Sequence, residues 1–527
     1  MKKLILSLAF IASLLLSNNS MAQITFSSNF ECGSMDKAEL ICSSVNGETE
    51  KYEYNFYSKL DPHNAASPKL APSGRWFYFK MNGIKGKEIT LNFKNTDPLR
   101  CVYSYDNVNW VRFAPEEAPE RCKVIKKYDN DEVYIAYYIP YTYTHLNSKI
   151  YEWTKNEWVD FRILGKSEHG MNVPMLTITS RNGGKPMSER KVVYIHGRVH
   201  PSETPGSWHL EGMIDILASD TPYAKHLRDN AVFYIVPFTN PDGVVEGMSR
   251  SNGEGINLEV NWNDPEEVTS QEVKNLRNLV ENFVGIKNDM GLPTAGMGVD
   301  VFLNMHSQVA NFVTYWVHKA EGTSDKYFKE LMLLCNLTIN NNPYFGKDGL
   351  CFSKVSPRYL EGWFWDKAAE KTVAITFETP YTFYNKNSQG EWLTVENLKK
   401  MSWNNVWATA DYLGIGAPER TVVAEPAKVS KFTTHTDNGH FYFGNSYLVA
   451  KEDGAKVKFK VKNLPAGEYN IYKWRVGECK NISDKGENEW GEPIGKLVKV
   501  KKGSAKVEVT AEKAGDKVDN ILLVKVK

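Results

Sequence analysis

Between residues 191 and 414, apolar strand-like runs alternate four times with longer stretches of helical periodicity, an order that few folds accept. The pairs are "KVVYIHGRV" before 204–219, "AVFYIVPF" before 266–285, "GVDVFLNMH" before 324–341, and "TVAITFE" before 395–414. Runs this apolar are buried on both faces, so the alternation predicts a mostly parallel sheet covered by helices on either side. Pro205, just inside the first helical stretch, suits an opening turn.

The flanks have a different texture. From 23 to 150 the chain shows short runs such as "RWFYFKM", "EITLNFK" and "EVYIAYYI", separated by Gly, Asn, Asp and Pro. That spacing predicts an antiparallel β-sandwich. Past 424, "AKVKFKVKNL", "AKVEVTAE" and "NILLVKV" alternate strictly between apolar and polar residues, which predicts a second β-sandwich. A chain of 527 residues exceeds one ordinary core. The expected organisation is a segment 1–22, an N-terminal sandwich 23–150, a central α/β domain 151–418 and a C-terminal sandwich 424–527.

The opening "MKKLILSLAFIASLLLSNNSMAQ" has two lysines, an apolar stretch and small residues before Gln23. It reads as a secretory signal peptide, and its apolar run is shorter than the ~20 residues a spanning helix needs. The expectation is an exported protein, periplasmic or secreted, with no transmembrane segment in the mature chain. Export would allow disulfides among Cys32, Cys42, Cys101 and Cys122, with the pairing left open. A net charge of +1 argues against a nucleic-acid surface.

In an open α/β sheet, ligands sit beyond the carboxyl ends of the strands. There the first run delivers His200 and Glu203, and the second leads to Arg250 in "NPDGVVEGMSR". The third delivers His306 and the fourth Glu378. Each alone has an ordinary structural explanation. Together, two histidines and a carboxylate match the ligands of a hydrolytic zinc site with one position left for water. A zinc ion there would make hydroxide available at neutral pH. Glu378 is then the candidate general base and acid, and Arg250 the candidate oxyanion partner.

These stretches carry a family resemblance. "HPSE", "LNMHSQ" and "AITFE" resemble the zinc-ligand and catalytic-glutamate motifs of M14 zinc carboxypeptidases. "GRVHPSETPGSW", "NPDGVVEGMSR" and "IPYTYTHL" (139–146) are similar to the cytosolic carboxypeptidase, deglutamylase-like subfamily. The likeness covers roughly residues 25–415. It implies one zinc per chain on His200, Glu203 and His306, with Arg250 at the carbonyl and Glu378 activating water. One element departs: the family's G-x-D-L-N-R-x-W reads "GINLEVNW" at 255–262. Its Asp has become Asn257, and its carboxylate-gripping Asn-Arg pair has become Glu259–Val260. A carboxylate placed about 4 Å from the substrate's own would repel it by about 4 kcal/mol at an effective dielectric near 20. That is roughly a thousandfold in affinity. Glu259 is therefore an expected substrate-binding residue of altered preference. Tyr359, beside Arg358 in "SPRYLEGWFW", is a candidate for a pocket hydroxyl.

Two functions follow. One is an exported zinc metallopeptidase of altered specificity acting on a peptide, a peptidoglycan-type or a glycopeptide substrate. The other is a catalytically impaired carboxypeptidase-fold module that binds glycan, cell-wall or peptide ligands.

Overall fold

The computed structural model describes residues 23–64, 72–285, 296–309, 313–339, 350–383 and 392–416, and most of the chain from 420 to 525 in shorter segments. By contact density the chain divides into two compact units. Among the described residues, one comprises 23–61 with 72–140 and 245–249, and the other comprises 62–64, 141–244 and those from 250 onward.

The first unit holds two sheets. Strands β1 (Thr25–Ser27), β4 (Tyr78–Asn82), β9 (Glu132–Ala136), β6 (Val102–Ser104) and β7 (Val111–Arg112) form one, in that order. Strands β2 (Lys37–Asn46), β3 (Thr49–Tyr57), β5 (Glu88–Phe93) and β8 (Lys123–Lys127) form the other. Alternation does what the sequence promised: in β5, Ile89, Leu91 and Phe93 point inward and their neighbours outward. Phe56 of β3 stacks on Phe79 of β4 at 4.3 Å between centroids, and Phe77 on Phe93 at 4.6 Å. The sandwich is not wholly antiparallel. β3 and β5 run parallel, because the chain crosses to the other sheet to make β4 before it returns.

The second unit is built on an eight-stranded mixed sheet. Its order is β10 (Val159–Lys166), β11 (Asn172–Ile178), β13 (Ala231–Val236), β12 (Lys191–Gly197), β14 (Val301–Gln308), β17 (Val373–Pro380), β15 (Thr314–His318) and β16 (Leu350–Ser353). The four runs singled out in the sequence are β12, β13, β14 and β17, and they pair in parallel at its centre. The expected helices are Thr204–Ala218, Gln271–Val284, Asp325–Ile339 and Val395–Tyr412, but a short helix, Pro241–Val245, precedes the second and strand β15 precedes the third. The second helix begins at 271 rather than 266, because Ser270 caps it by accepting from the Val273 amide. Beyond 420, the strands Lys456–Lys462 and Ser504–Thr510 share a core with Gly467–Lys473 and Ile521–Lys525 through Phe459, Val507, Ile471 and Leu523. No helix among the described residues is long and apolar enough to cross a membrane.

The helix Thr204–Ala218 is pinned by one buried acid. Glu211 is 2% exposed and meets His145 Nε2 at 2.7 Å and Lys399 Nζ at 2.5 Å. Burial raises its pKa, but His145 and Lys399 outweigh that and hold it at about 2. A depressed carboxylate contributes stability that is complete above its unfolded value and lost as pH falls through the folded one. Glu211→Gln should cost roughly 3 kcal/mol at neutral pH, since each tenfold fall in proton affinity is worth about 1.4 kcal/mol. Urea unfolding as a function of pH checks this: the difference between wild type and variant should close between pH ~4.5 and ~2.

Candidate metal and catalytic site

The site grows from one face of the sheet. In a strand, alternate side chains share a face, and parallel registry sets equivalent positions side by side. His196 of β12, Asn304 of β14 and Thr376 of β17 fall in one row across three neighbouring strands. Asn304 joins them: His196 Nε2 donates to its Oδ1 at 2.8 Å, and its Nδ2 donates to Thr376 Oγ1 at 3.2 Å. Two residues further along, the next row contains His306 and Glu378, again in direct register. The catalytic-type pair is thus a consequence of strand period and registry.

His200 and Glu203 come from the loop after β12. Arg198 sits there with φ +56°, a left-handed conformation that costs a side-chain-bearing residue about 1 kcal/mol or more. Its buried guanidinium offsets that cost by donating to the Pro201 carbonyl (2.7 Å), the Tyr141 carbonyl (3.1 Å) and Ser207 Oγ (3.0 Å). Asn240, in "TNPDG", donates to the Val199 carbonyl at 3.0 Å. The loop is therefore clamped from both sides. Glu203 then occupies the cap position of the helix Thr204–Ala218, where the helix dipole favours an anion. Gly206, in the first turn, lets the helix close on β14: a Cβ there would stand 3.0 Å from the His306 carbonyl oxygen.

The result is a tight cluster. Glu203 Oε1 lies 2.8 Å from His200 Nδ1 and its Oε2 2.9 Å from His306 Nδ1, while the two Nδ1 atoms are 3.2 Å apart. The Ser307 amide also donates to Glu203 Oε2 at 2.9 Å. All three residues are buried. The residues fit a zinc ion: four ligands about 2.1 Å from zinc are spaced about 3.4 Å apart, so these donors need to spread only slightly to make one face of that tetrahedron. His200, Glu259 and His306 also place donor atoms within 4.8 Å of one another.

Charges respond accordingly. Burial pushes the Glu203 carboxyl up, but His200 and His306 outweigh it and hold the group well below the usual range. His306 is driven well above its ordinary value, since Glu259 and Glu203 overcome the effect of burial. His200 is lowered, by burial first; Arg250, an exposed residue, adds to the lowering, which puts its charge near this ring. Glu378 is raised to about 7 by burial, then by Glu203. A carboxyl poised there is suited to take and return a proton at neutral pH.

The structure brings together His200, Glu203, His306 and Glu378 from the sequence set, while Arg250 is exposed and reaches the cluster through the effect of its charge on His200. Glu259 Oε2 is 3.0 Å from His306 Nε2, on the ring edge opposite Glu203. Tyr359 is half-buried before the helix Leu360–Ala368, with the Arg358 guanidinium over its ring at 5.2 Å, and no described hydrogen bond joins its hydroxyl to the cluster. Sequence reading missed His196, Asn304 and Thr376, although each is a polar residue inside an apolar strand. It also missed Glu361, whose carboxylate accepts from Asn304 at 3.0 Å and which burial, then Glu259, pushes up to about 7.

Comparison with known proteins finds relatives of both parts of the chain. The zinc carboxypeptidase family matches residues 152–344, and the cytosolic carboxypeptidase N-terminal domain matches residues 26–138. Cytosolic carboxypeptidase 6 of Mus musculus is 29% identical over 316 residues, which cover 55% of this chain and 55% of that protein. Cytosolic carboxypeptidase 2 of Danio rerio is 28% identical over 281 residues, covering 46% and 37%. The chain thus spans about half the length of the first of these relatives. Among solved structures, a metallo-carboxypeptidase from Burkholderia cenocepacia superposes with a TM-score of 0.58 at 20% identity, over 75% of this chain and all of that one. A metallo-carboxypeptidase from Pseudomonas aeruginosa gives 0.58 at 19%, with the same coverage, and both show the shared fold.

These findings overturn the exported, periplasmic or secreted location. The N-terminal match and the relatives belong to cytosolic carboxypeptidases, which points to a cytosolic chain. The expectation rested on a hydropathy pattern in residues 1–22, which lie outside the described residues.

A site of this kind should stabilise the fold when filled. Zinc at a hundred times its Kd should add about 2.7 kcal/mol, seen as a rise in Tm. Glu203→Ala should lose most of that rise, whereas a variant of exposed Tyr151 should keep it.

Proposed function

The chain carries an M14 zinc carboxypeptidase domain behind a cytosolic carboxypeptidase N-terminal domain, and from that premise we propose that it hydrolyses a peptide or amide bond at the carboxyl end of a peptide substrate, with altered preference for that end. The observation that carries the reading is Glu378 in register with His306, beside a triangle of His200, Glu203 and His306 donors about 3 Å on a side. The family's proteins use one zinc, and in this reading these three residues hold it. Zinc, when bound, supplies a Lewis acid that acidifies water and polarises a carbonyl.

The protein's own groups do the rest. Glu378 removes a proton from the attacking water and delivers it to the leaving amine, a task for which a carboxyl near pKa 7 is matched. Arg250 offers a fixed positive charge where negative charge grows on the carbonyl oxygen. Glu203, already anchored by the Ser307 amide, keeps the two imidazoles in place while this happens.

The altered preference follows from Val260. It stands where the resemblance expects the arginine that grips a terminal carboxylate, and an aliphatic side chain makes no such bidentate contact. Peptidoglycan and glycopeptide substrates were expected from an exported location and lose that support with it. A peptide is the substrate class that remains, and an amine-bearing end is the first alternative to a free carboxylate.

The test uses zinc-loaded protein and matched short peptides with free, amidated, amine-bearing and glycosylated carboxyl ends, read by mass spectrometry. Turnover by the wild type and a 10²- to 10⁴-fold fall in kcat for Glu378→Ala, with KM little changed, is the expected result. Equal cleavage by the Glu378→Ala protein would sink the proposal. Tight peptide binding with no cleavage across the set would favour the binding-module reading instead.

A further inference from the structure

Both histidines of the triangle are held from behind by a single turn, and that turn is the segment in which the sequence departs from its family. Residues Leu258–Val260 form a 3-10 turn capped by Asn257. Asn257 Oδ1 accepts from the Glu259 amide at 3.0 Å, so the oxygen of this side chain faces the turn. With Nδ1 committed to a metal, His200 Nε2 carries the ring proton and donates it to this same oxygen, 3.2 Å away. Two residues on, Glu259 Oε2 lies 3.0 Å from His306 Nε2. That nitrogen is buried, sits at ion-pair distance from the carboxylate and makes no aligned hydrogen bond in the described structure. The acceptor beside it is Glu259, whose other oxygen is 3.5 Å from Asn304 Nδ2.

We propose that Glu259 is a positioning residue for His306: it holds the Nε2 proton and so presents Nδ1 to the metal, while Asn257 does the same for His200. This rests on the metal-site reading above and deepens it. Carboxylates behind a metal-bound imidazole fix its tautomer and ring orientation and raise its basicity. The two departures then form one change. At 257 an amide stands where the family has a carboxylate, and at 259 a carboxylate stands where the family has an amide, so the negative charge has moved two residues along the same turn. In the period of a 3-10 turn that step carries it from the back of one histidine to the back of the other. Glu259 is then occupied by His306 and is not a free charge at the floor of the substrate pocket.

The experiment measures zinc affinity by chelator competition for the wild type, Glu259→Gln and Glu259→Leu, with folding of each confirmed by circular dichroism. Glu259→Leu should bind zinc 10- to 100-fold more weakly. Glu259→Gln keeps an acceptor oxygen and should recover part of the loss. In zinc-loaded wild type labelled with ¹⁵N-histidine, a slowly exchanging Nε2–H signal from His306 should be present, and it should vanish in Glu259→Leu. KM for a cleaved peptide should hold within about twofold when each variant is saturated with zinc. Unchanged zinc affinity in Glu259→Leu, with a shift only in which peptide ends are cleaved, would overturn the proposal and return Glu259 to substrate recognition. Failure of the wild type to bind zinc at all would instead overturn the metal-site reading beneath it.

Discussion

An ionised carboxylate buried between two imidazoles is the interaction on which the rest of this molecule's chemistry depends. Isolated in a protein interior, such a charge is costly by several kcal/mol, and it persists only when paired and hydrogen-bonded. Glu203 has both forms of support: His200 and His306 at 2.8 and 2.9 Å, and the Ser307 amide at 2.9 Å. The partners come from two parts of the chain, His200 from the loop after β12 and His306 with Ser307 from the end of β14. The helix after β12 must therefore start at a fixed height above the sheet, and β14 must end at a fixed point beneath it. The strained Arg198 and the close contact at Gly206 are features of that requirement.

The sheet satisfies it through period and registry. β12, β14 and β17 are apolar on one face and, toward their carboxyl ends, polar on the other. Because these strands are parallel and in register, the polar positions form rows: His196, Asn304 and Thr376, then His306 and Glu378. The first row is a hydrogen-bonded floor and the second holds the reactive groups. A one-residue slip in any strand would send its polar groups into the opposite apolar layer. The same packing that stabilises the sheet thereby fixes where Glu378 stands relative to the metal ligands.

The residues around 257–260 show how a short element reorganises such a site. A turn of three residues reaches the outer edge of both imidazoles, its capping Asn257 at His200 and its second residue Glu259 at His306. Position along that turn decides which histidine a given side chain meets. The chemistry of the triangle and the absence of an arginine at Val260 are thus separate consequences of one stretch of chain.

Much of this was written in the sequence. Four apolar runs of strand length, each followed by a helical period, determine a central parallel sheet, because only burial on both faces suits them. That order in turn sends His200, Glu203, His306 and Glu378 to one edge of the sheet. Periodicity alone also marked the two flanking β-rich regions. The apolar pattern at 1–22 misled for the complementary reason: hydropathy describes what a segment is made of, not which compartment holds it. Tertiary structure decided everything that depends on distance between remote residues. No spacing rule places Glu259 behind His306, since 47 positions of chain and a different element separate them, and only packing brings the 3-10 turn against β14. The polar floor of His196, Asn304 and Thr376 was likewise invisible, because a row exists only once three strands have chosen their registry.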